Sequence, residues 1–339
     1  MKSSSKIIKK EVIFLDVIQI GLGQFGFSWL EKILLKNERI NVVALVDKNK
    51  NTFKKVQQLD SSNYDVFTGI EEALNQIKAD FILNVTPPKI HKKINFIALE
   101  EGIPVLCEKP IAESYEDAYD VLEKAEITGV PLMIAENYRF NESIRKVRKI
   151  IESGEIGKLC TVNIDFNRKH KMSNYHKDLK HPMLLDVGTH HLDMLRYLTG
   201  KEAKSVFARA WTPEWSWYDG YSSINLFIEM ENNIKVSYRG SLSASNKFTD
   251  WLAKWRIEGN KGVIQIRDDQ IIIYKDNNKQ FISVSKSKDT RKKVLDEFIN
   301  SLEKNIDGET DIKDNFKTFK IYKAAIESIQ KNGIVKIID

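Results

Sequence analysis

Asp186 and His190 lie one helical turn apart in the stretch MLLDVGTHHLDMLRYLTG (183–200). A carboxylate and an imidazole at that spacing can share acid–base work, because an imidazole titrates near neutral pH. Val187, His191, Met194, Leu195 and Leu198 fall on an apolar stripe, and Asp186, His190, Asp193 and Tyr197 fall on the other. The pattern predicts an amphipathic, half-buried helix ended by Gly200. On these residues alone, such a polar stripe is usually just a solvated face. A second candidate is Lys109 in PVLCEKP (104–110), at the carboxyl end of a predicted strand; by itself it reads as a lysine in a turn. A third is GLGQFG, with Gly21, Gly23 and Gly26 between the strand VIQI (17–20) and a helical pattern reaching about residue 36. Glycines so placed permit a tight turn, approach of a pyrophosphate to the backbone and close helix packing, with the helix N-terminus as the positive end. Asp47 ends the next strand, NVVALVD (41–47). An acidic residue there suits a ribose 2′-hydroxyl and disfavours a 2′-phosphate, so NAD is expected over NADP, with the adjoining Lys48 softening that exclusion.

The elements that must position these groups alternate over residues 17–85 as β-α-β-α-β, which predicts a parallel sheet with right-handed crossovers. Thr86-Pro87-Pro88 breaks the chain after FILNV (81–85), where a doubly wound sheet places its ligand crevice. A helix over 89–101 ends at Gly102, and the strand before Lys109 follows. After Phe140 the pattern changes to short strands of period two joined by turns such as Glu231-Asn232-Asn233, which predicts antiparallel sheet. Helical patterns return at 294–304 and 313–331. The expected organisation is an α/β Rossmann domain over 1–136 and an α+β domain with a large, mostly antiparallel open sheet over 137–339. The helices of 292–339 are expected to pack back on the first domain.

Bulk properties exclude several classes. The net charge of +6 comes from 53 basic and 47 acidic residues spread along the chain, so no basic stripe argues for nucleic acid. With two cysteines, Cys107 and Cys160, there is no disulfide framework or cysteine-rich zinc site, and a cytoplasmic setting is expected. Glu11 and Asp16 interrupt the apolar run near the basic start, so no signal peptide is expected, and no run approaches the length of a membrane span. Five histidines (His170, His176, His181, His190, His191) crowd one segment without any standard ligand spacing, so no metal is expected. His191 points to the apolar stripe and reads as a core histidine.

GLGQFG, TPPKIHKKINFIALEEGIPVLCEKP and LLDVGTHH together resemble the glucose–fructose oxidoreductase/inositol dehydrogenase family (Gfo/Idh/MocA), and the likeness continues through AENYRF (135–140) and IESGEIGKL (151–159) to the C-terminus. The resemblance implies reversible hydride transfer between a nicotinamide cofactor and a secondary alcohol on a sugar, inositol or related polyol. It implies Lys109, Asp186 and His190 as the catalytic set, and a homodimer or homotetramer built through the C-terminal sheet. It extends the cofactor contacts to Gln24, Phe25, Thr86, Pro87, His91, Glu108 and Lys109. Tyr138, Arg139 and His181 are candidate substrate contacts. The chain departs from the family at 180–183, where Lys-His-Pro-Met replaces a glycine-rich run beside the substrate pocket, so the substrate is not copied from known relatives. The aromatic segment WTPEWSWYDGY (211–221) fits a sugar pocket or a subunit interface. Two other readings stay open: a cofactor-binding regulator without activity, and an enzyme using transient redox for elimination or glycoside cleavage.

Overall fold

The strand β1 (Leu15–Ile20) is buried from Val17 onward, with Val17 and Ile18 fully enclosed, because it lies in the middle of a parallel sheet covered on both faces. The computed structural model describes residues 14–59, 64–171, 174–267, 270–285 and 289–338. The basic start (1–13), on which the signal-peptide reading bore, lies outside the described residues. With β1 pair β2 (Ile40–Val46), β3 (Asp65–Phe67), β4 (Phe81–Asn84), β5 (Val105–Cys107) and β6 (Leu132–Ile134), in the order β3-β2-β1-β4-β5-β6. The ladders of β1 with β2 and with β4 are both parallel, so the strand order reverses between them. A ligand crevice opens at such a reversal, outside the carboxyl ends of the strands. The connecting helices are α1 (Gln24–Lys32), α2 (Asn51–Leu59), α3 (Ile70–Gln76), α4 (Pro88–Glu100) and α5 (Tyr115–Thr128).

The chain divides into two units: residues 1–108 with 123–132, and 109–122 with 133–339. Lys109 and the first half of α5 therefore belong to the second unit.

That second unit is built on nine strands: β7 (Leu159–Asn167), β8 (Ala203–Trp211), β9 (Ser223–Met230), β10 (Lys235–Ser241), β11 (Lys254–Gly259), β12 (Gly262–Arg267), β13 (Gln270–Lys275), β14 (Asn278–Ser283) and β15 (Val335–Lys336). Their order is β14-β13-β12-β11-β7-β10-β9-β8-β15, antiparallel except where β10 runs parallel to β7. The helices of this unit are α6 (Glu142–Glu152), α7 (Asn174–Lys177), α8 (Thr189–Thr199), α9 (Arg291–Lys304) and α10 (Ile312–Lys331). α10 packs on β8 and α8, and its Phe316 ring meets those of Tyr115 and Tyr119 in α5. Among the described residues no helix is long and apolar enough to cross a membrane.

The segment that carries Asp186 and His190 differs from the helix the sequence predicts. Met183–Gly188 forms a π-helical turn, and α8 starts only at Thr189. A π turn holds an extra residue, so the α-helical phasing of the two stripes does not run across it; such turns recur at functional sites. It rests on β9 and β10, where a Cβ at Gly240 would come within 2.8 Å of Met183 Cε. α8 is buried on nearly all sides rather than half-solvated, and its polar residues are satisfied by internal partners. Gly200 ends it as predicted, in the left-handed region at φ 61° with its N–H donating to Arg196 O at 2.8 Å.

Candidate active site

In the first unit, the glycine loop contains three glycines required for three different reasons. Gly21 has φ +96°, and a Cβ there would lie 2.5 Å from Val85 O, so the approach of β1 to β4 excludes a side chain. A Cβ at Gly26 would lie 2.1 Å from Gly21 O, which is the close helix–strand packing the motif predicts. At Gly23 nothing lies within 4 Å. The protein does not itself require glycine there, but a pyrophosphate seated on the loop does. That open position, at the exposed start of α1, is the observation by which these residues fit a dinucleotide. Gly23→Ala is therefore expected to leave the thermal melting temperature within a degree or two while weakening NAD binding at least about 10-fold, because the added methyl occupies the anion's place. Gly26→Ala should instead lower the melting temperature markedly, since backbone must move; melting curves and NAD titrations separate the two.

Gln19, buried in β1, ties the loop from below by donating to Gly21 O (3.0 Å) and Gly26 O (2.8 Å). Asp47 accepts from Leu22 N and from Asn49 N, each at 2.7 Å, which holds its carboxylate beside the glycine loop. Gln24, Phe25 and Lys48 are exposed around it. Thr86 Oγ1 donates to Asn84 Oδ1 at 2.7 Å, and Pro87 opens α4. Two residues predicted to touch the cofactor have other employment. His91 is fully buried with Nε2 2.7 Å from Thr86 O, so it supports the Thr86 turn from inside. Glu108 is buried, accepting from Trp29 Nε1 at 2.7 Å, and so packs against α1.

In the second unit, Lys109, Asp186 and His190 lie in one cluster, with different partners from those the i, i+4 spacing suggests. Lys109 Nζ donates to Asp186 Oδ1 at 2.6 Å and to Asp186 O at 2.9 Å. His176 Nε2 lies 3.8 Å from the same Oδ1. Burial alone would raise the Asp186 carboxyl, but Lys109 and His176 outweigh it and hold it well below the usual carboxylate range. His190 is paired not with Asp186 but with Glu136: its Nδ1 is hydrogen-bonded to Glu136 Oε1. Tyr138 stacks on the face of the imidazole, with ring centroids 3.9 Å apart and planes 3° from parallel. Glu136 is 1% exposed; burial pushes its carboxyl up to about 7, against the pull of Lys109 and Arg139. Burial also pushes the His190 imidazole well below its usual value, with Lys109 acting the same way. Burial is the largest cause of both shifts, so the fold disfavours charge on either partner of the pair.

Glu136 was not among the sequence candidates. Its signal was a lone acidic residue following the apolar run LMIA (132–135), a position that makes sense for a carboxylate only if it has a buried partner.

Arg139 is corrected from substrate contact to structural residue. It is 3% exposed, and it donates through Nε to Asp193 Oδ2 (2.8 Å), through Nη1 to Glu309 O (3.0 Å) and through Nη2 to Asp193 Oδ1 and to Asp314 Oδ2 (2.8 Å). Asp193, on the predicted polar stripe, is wholly buried, and burial outweighs Arg139 to raise its carboxyl to about 6. Arg139→Met is expected to destabilise the protein by about 3–5 kcal/mol by leaving that carboxyl without its counter-ion, as measured by denaturant unfolding. His191 donates from Nε2 to Trp251 O (2.9 Å) and accepts at Nδ1 from Tyr238 Oη (3.0 Å), the neutral core histidine the apolar stripe implies. Burial pushes it to about 3. His181 is buried against Tyr221, ring centroids 5.4 Å apart, and burial lowers it to about 4. Among the described residues no three His, Cys, Asp or Glu side chains are arranged to hold a metal ion.

Comparison with known proteins bears on both units. Residues 15–136 match the model of an oxidoreductase family with an NAD-binding Rossmann fold, GFO/IDH/MocA, and residues 144–265 match that family's C-terminal domain. The chain belongs to this family. It is thus an NAD(P)-dependent oxidoreductase whose first unit is the nucleotide-binding Rossmann fold. Over 342 residues it is 27% identical to an uncharacterized protein, y4oX, of Sinorhizobium fredii, covering 95% of each chain. It is 23% identical over 264 residues to an inositol 2-dehydrogenase of Corynebacterium glutamicum, covering 75% of this chain and 77% of that one. In fold it is similar to an oxidoreductase from Agrobacterium radiobacter solved with NAD+, L-tartaric acid and magnesium: TM-score 0.89 at 20% identity, over 95% of this chain and 98% of the other.

Proposed function

We propose that the protein interconverts a secondary alcohol and a ketone on a sugar, inositol or related polyol, with NAD preferred to NADP. The carrying observation is the constellation of Lys109 held by Asp186 at 2.6 Å and His190 backed by the buried Glu136. Oxidising an alcohol removes a hydride from carbon and a proton from oxygen; NAD, when bound, accepts the hydride. Lys109 donates a hydrogen bond to the reacting oxygen and stabilises its developing negative charge. Asp186 keeps the ammonium aimed. His190 takes the hydroxyl proton through Nε2, while Glu136 on Nδ1 orients the ring and disperses the positive charge it gains. In the reverse direction the same ring returns the proton. Residues 1–136 would hold the cofactor, through Gly23 and the loop backbone with Asp47 on the ribose, and 137–339 the substrate.

We further propose a homodimer or homotetramer through the sheet face turned away from the helices, where Phe227 is 48% exposed beside Phe207, Arg209 and Arg239. With Cys107 and Cys160 both free, a reducing, cytoplasmic setting suits the chain. A screen of sugars, inositols and sugar acids that follows NAD reduction by absorbance tests the activity, with light scattering for the subunit count. Net NADH with a keto-product is the expected result. Product without net NADH would replace the dehydrogenase by an enzyme of transient redox, and NAD binding without turnover on any alcohol would replace it by a regulator.

A further inference from the structure

Among the described residues, Arg168 forms no ion pair. It follows β7 directly and continues the alternation of Val162, Ile164 and Phe166, whose side chains are buried on the helix side of the sheet. Phe166 there touches the His191 ring at 4.9 Å between centroids. The backbone of Arg168 is anchored in both directions, its N–H to Ser241 O (2.8 Å) and its carbonyl from Ala244 N (3.0 Å). The guanidinium lies 4.7 Å over the Trp251 ring, and one Nη1–H is fixed on Thr249 O at 2.7 Å. Trp251 in turn accepts His191 Nε2–H, which places this stack next to the His190 segment, and the Arg168 charge acts on the hydroxyl of Tyr138, the ring stacked on His190. The arginines Arg139, Arg145, Arg148 and Arg196 each meet a carboxylate, whereas Arg168 is in none of the ion pairs of the described residues. A half-buried guanidinium stacked on an indole and held by one backbone carbonyl is pre-organised, with its Nε/Nη2 edge left to make the two parallel bonds that an oxyanion accepts.

We infer that Arg168 is a specificity-determining residue that binds an oxyanion of the substrate, so that the polyol turned over carries a carboxylate or phosphate. This rests on the dehydrogenase reading for the alcohol being oxidised, but not for the oxyanion site itself. The adjoining run of Lys169 and Lys171 adds positive field for attracting such a substrate.

The test is calorimetric, on the NAD-loaded protein, with D-gluconate, sorbitol 6-phosphate and sorbitol as probes. The expected result is that one or both charged probes bind at least about 10-fold more tightly than sorbitol, corresponding to charge-assisted hydrogen bonds. The preferred probe identifies the group as carboxylate or phosphate. Arg168→Gln should abolish that preference and Arg168→Lys should keep part of it, since the charge remains but the fork is lost; melting curves confirm that both fold. Equal affinity for sorbitol and the charged probes, or a preference that survives Arg168→Gln, overturns the assignment while leaving the dehydrogenase reading intact. Arg168-dependent binding with no NAD reduction on any alcohol overturns the dehydrogenase reading and leaves the oxyanion site standing.

Discussion

Replacing Lys109 by methionine is expected to lower kcat/KM by about 10³-fold, with most of the loss in kcat, because the donor that faces the developing alkoxide is removed. The same change should also alter the folded protein. Asp186 accepts from Lys109 Nζ at 2.6 Å, and that cation, with His176, opposes the effect of burial on the carboxyl. Without the ammonium, burial gains and the Asp186 carboxyl moves up. Because its folded value in the wild type is depressed, the group contributes stability at pH above the ordinary carboxylate range, and this is lost as pH falls through the depressed value. In Lys109→Met the contribution at neutral pH should shrink. Lys109→Met/Asp186→Asn should then melt higher than Lys109→Met alone while remaining as inactive. Melting curves of the two variants at pH 7 check this. If the double variant is no more stable, the pair does not work as a unit.

Glu136→Gln is expected to cost about 10²-fold or more in kcat and to change the pH profile, which a purely structural role would not do. In the wild type burial pushes the Glu136 carboxyl up to about 7, and it is hydrogen-bonded to His190 Nδ1. Alcohol oxidation requires this pair to accept a proton. Its rate should therefore be low below about pH 7 and rise above it, while ketone reduction, which needs the proton in place, should show the opposite limb. A glutamine retains the size of Glu136 and a hydrogen bond to Nδ1 but cannot titrate or carry negative charge. The limb near pH 7 should disappear or move, and the histidine ring should lose its stabilisation as an imidazolium. Rates in both directions from pH 5.5 to 9, together with melting curves to confirm folding, are the measurement. An unchanged limb in Glu136→Gln would reassign the base.

The two candidate sites differ in how much of them the sequence discloses. The glycine loop is legible because much of what it requires is local: Gly21 has a positive φ and Gly26 packs its helix close to Gly21, both within one strand-turn-helix, although the approach of Val85 to Gly21 is not. Only the open space at Gly23, which distinguishes a ligand's requirement from the protein's own, needed coordinates. The candidate catalytic set was legible as three residue types in two motifs, Lys109 in EKP and Asp186 with His190 in LLDVGTHH. Its wiring was not, because a hydrogen-bond partner far along the chain leaves no periodicity. Lys109 and Asp186 are 77 residues apart, and Glu136 and His190 are 54 apart. The π turn at Met183–Gly188 added to this, since a helix of uniform pitch is the assumption behind reading Asp186 and His190 as one face.

Burial decided the remaining assignments. Arg139 and Asp193 look like surface residues by type, and His91 and Glu108 lie in a motif that touches cofactor, yet all four are buried. An ionisable group removed from water must find a partner, and which partner it finds depends on what the fold brings within about 3 Å. The sequence by itself therefore determined the alternation of elements, the family's motifs and the cofactor loop, because each is written in spacings of a few residues. Tertiary structure alone decided that Asp186 pairs with Lys109, that Glu136 pairs with His190 and that Arg168 forms no ion pair among the described residues, because those facts are distances between residues that only folding brings together.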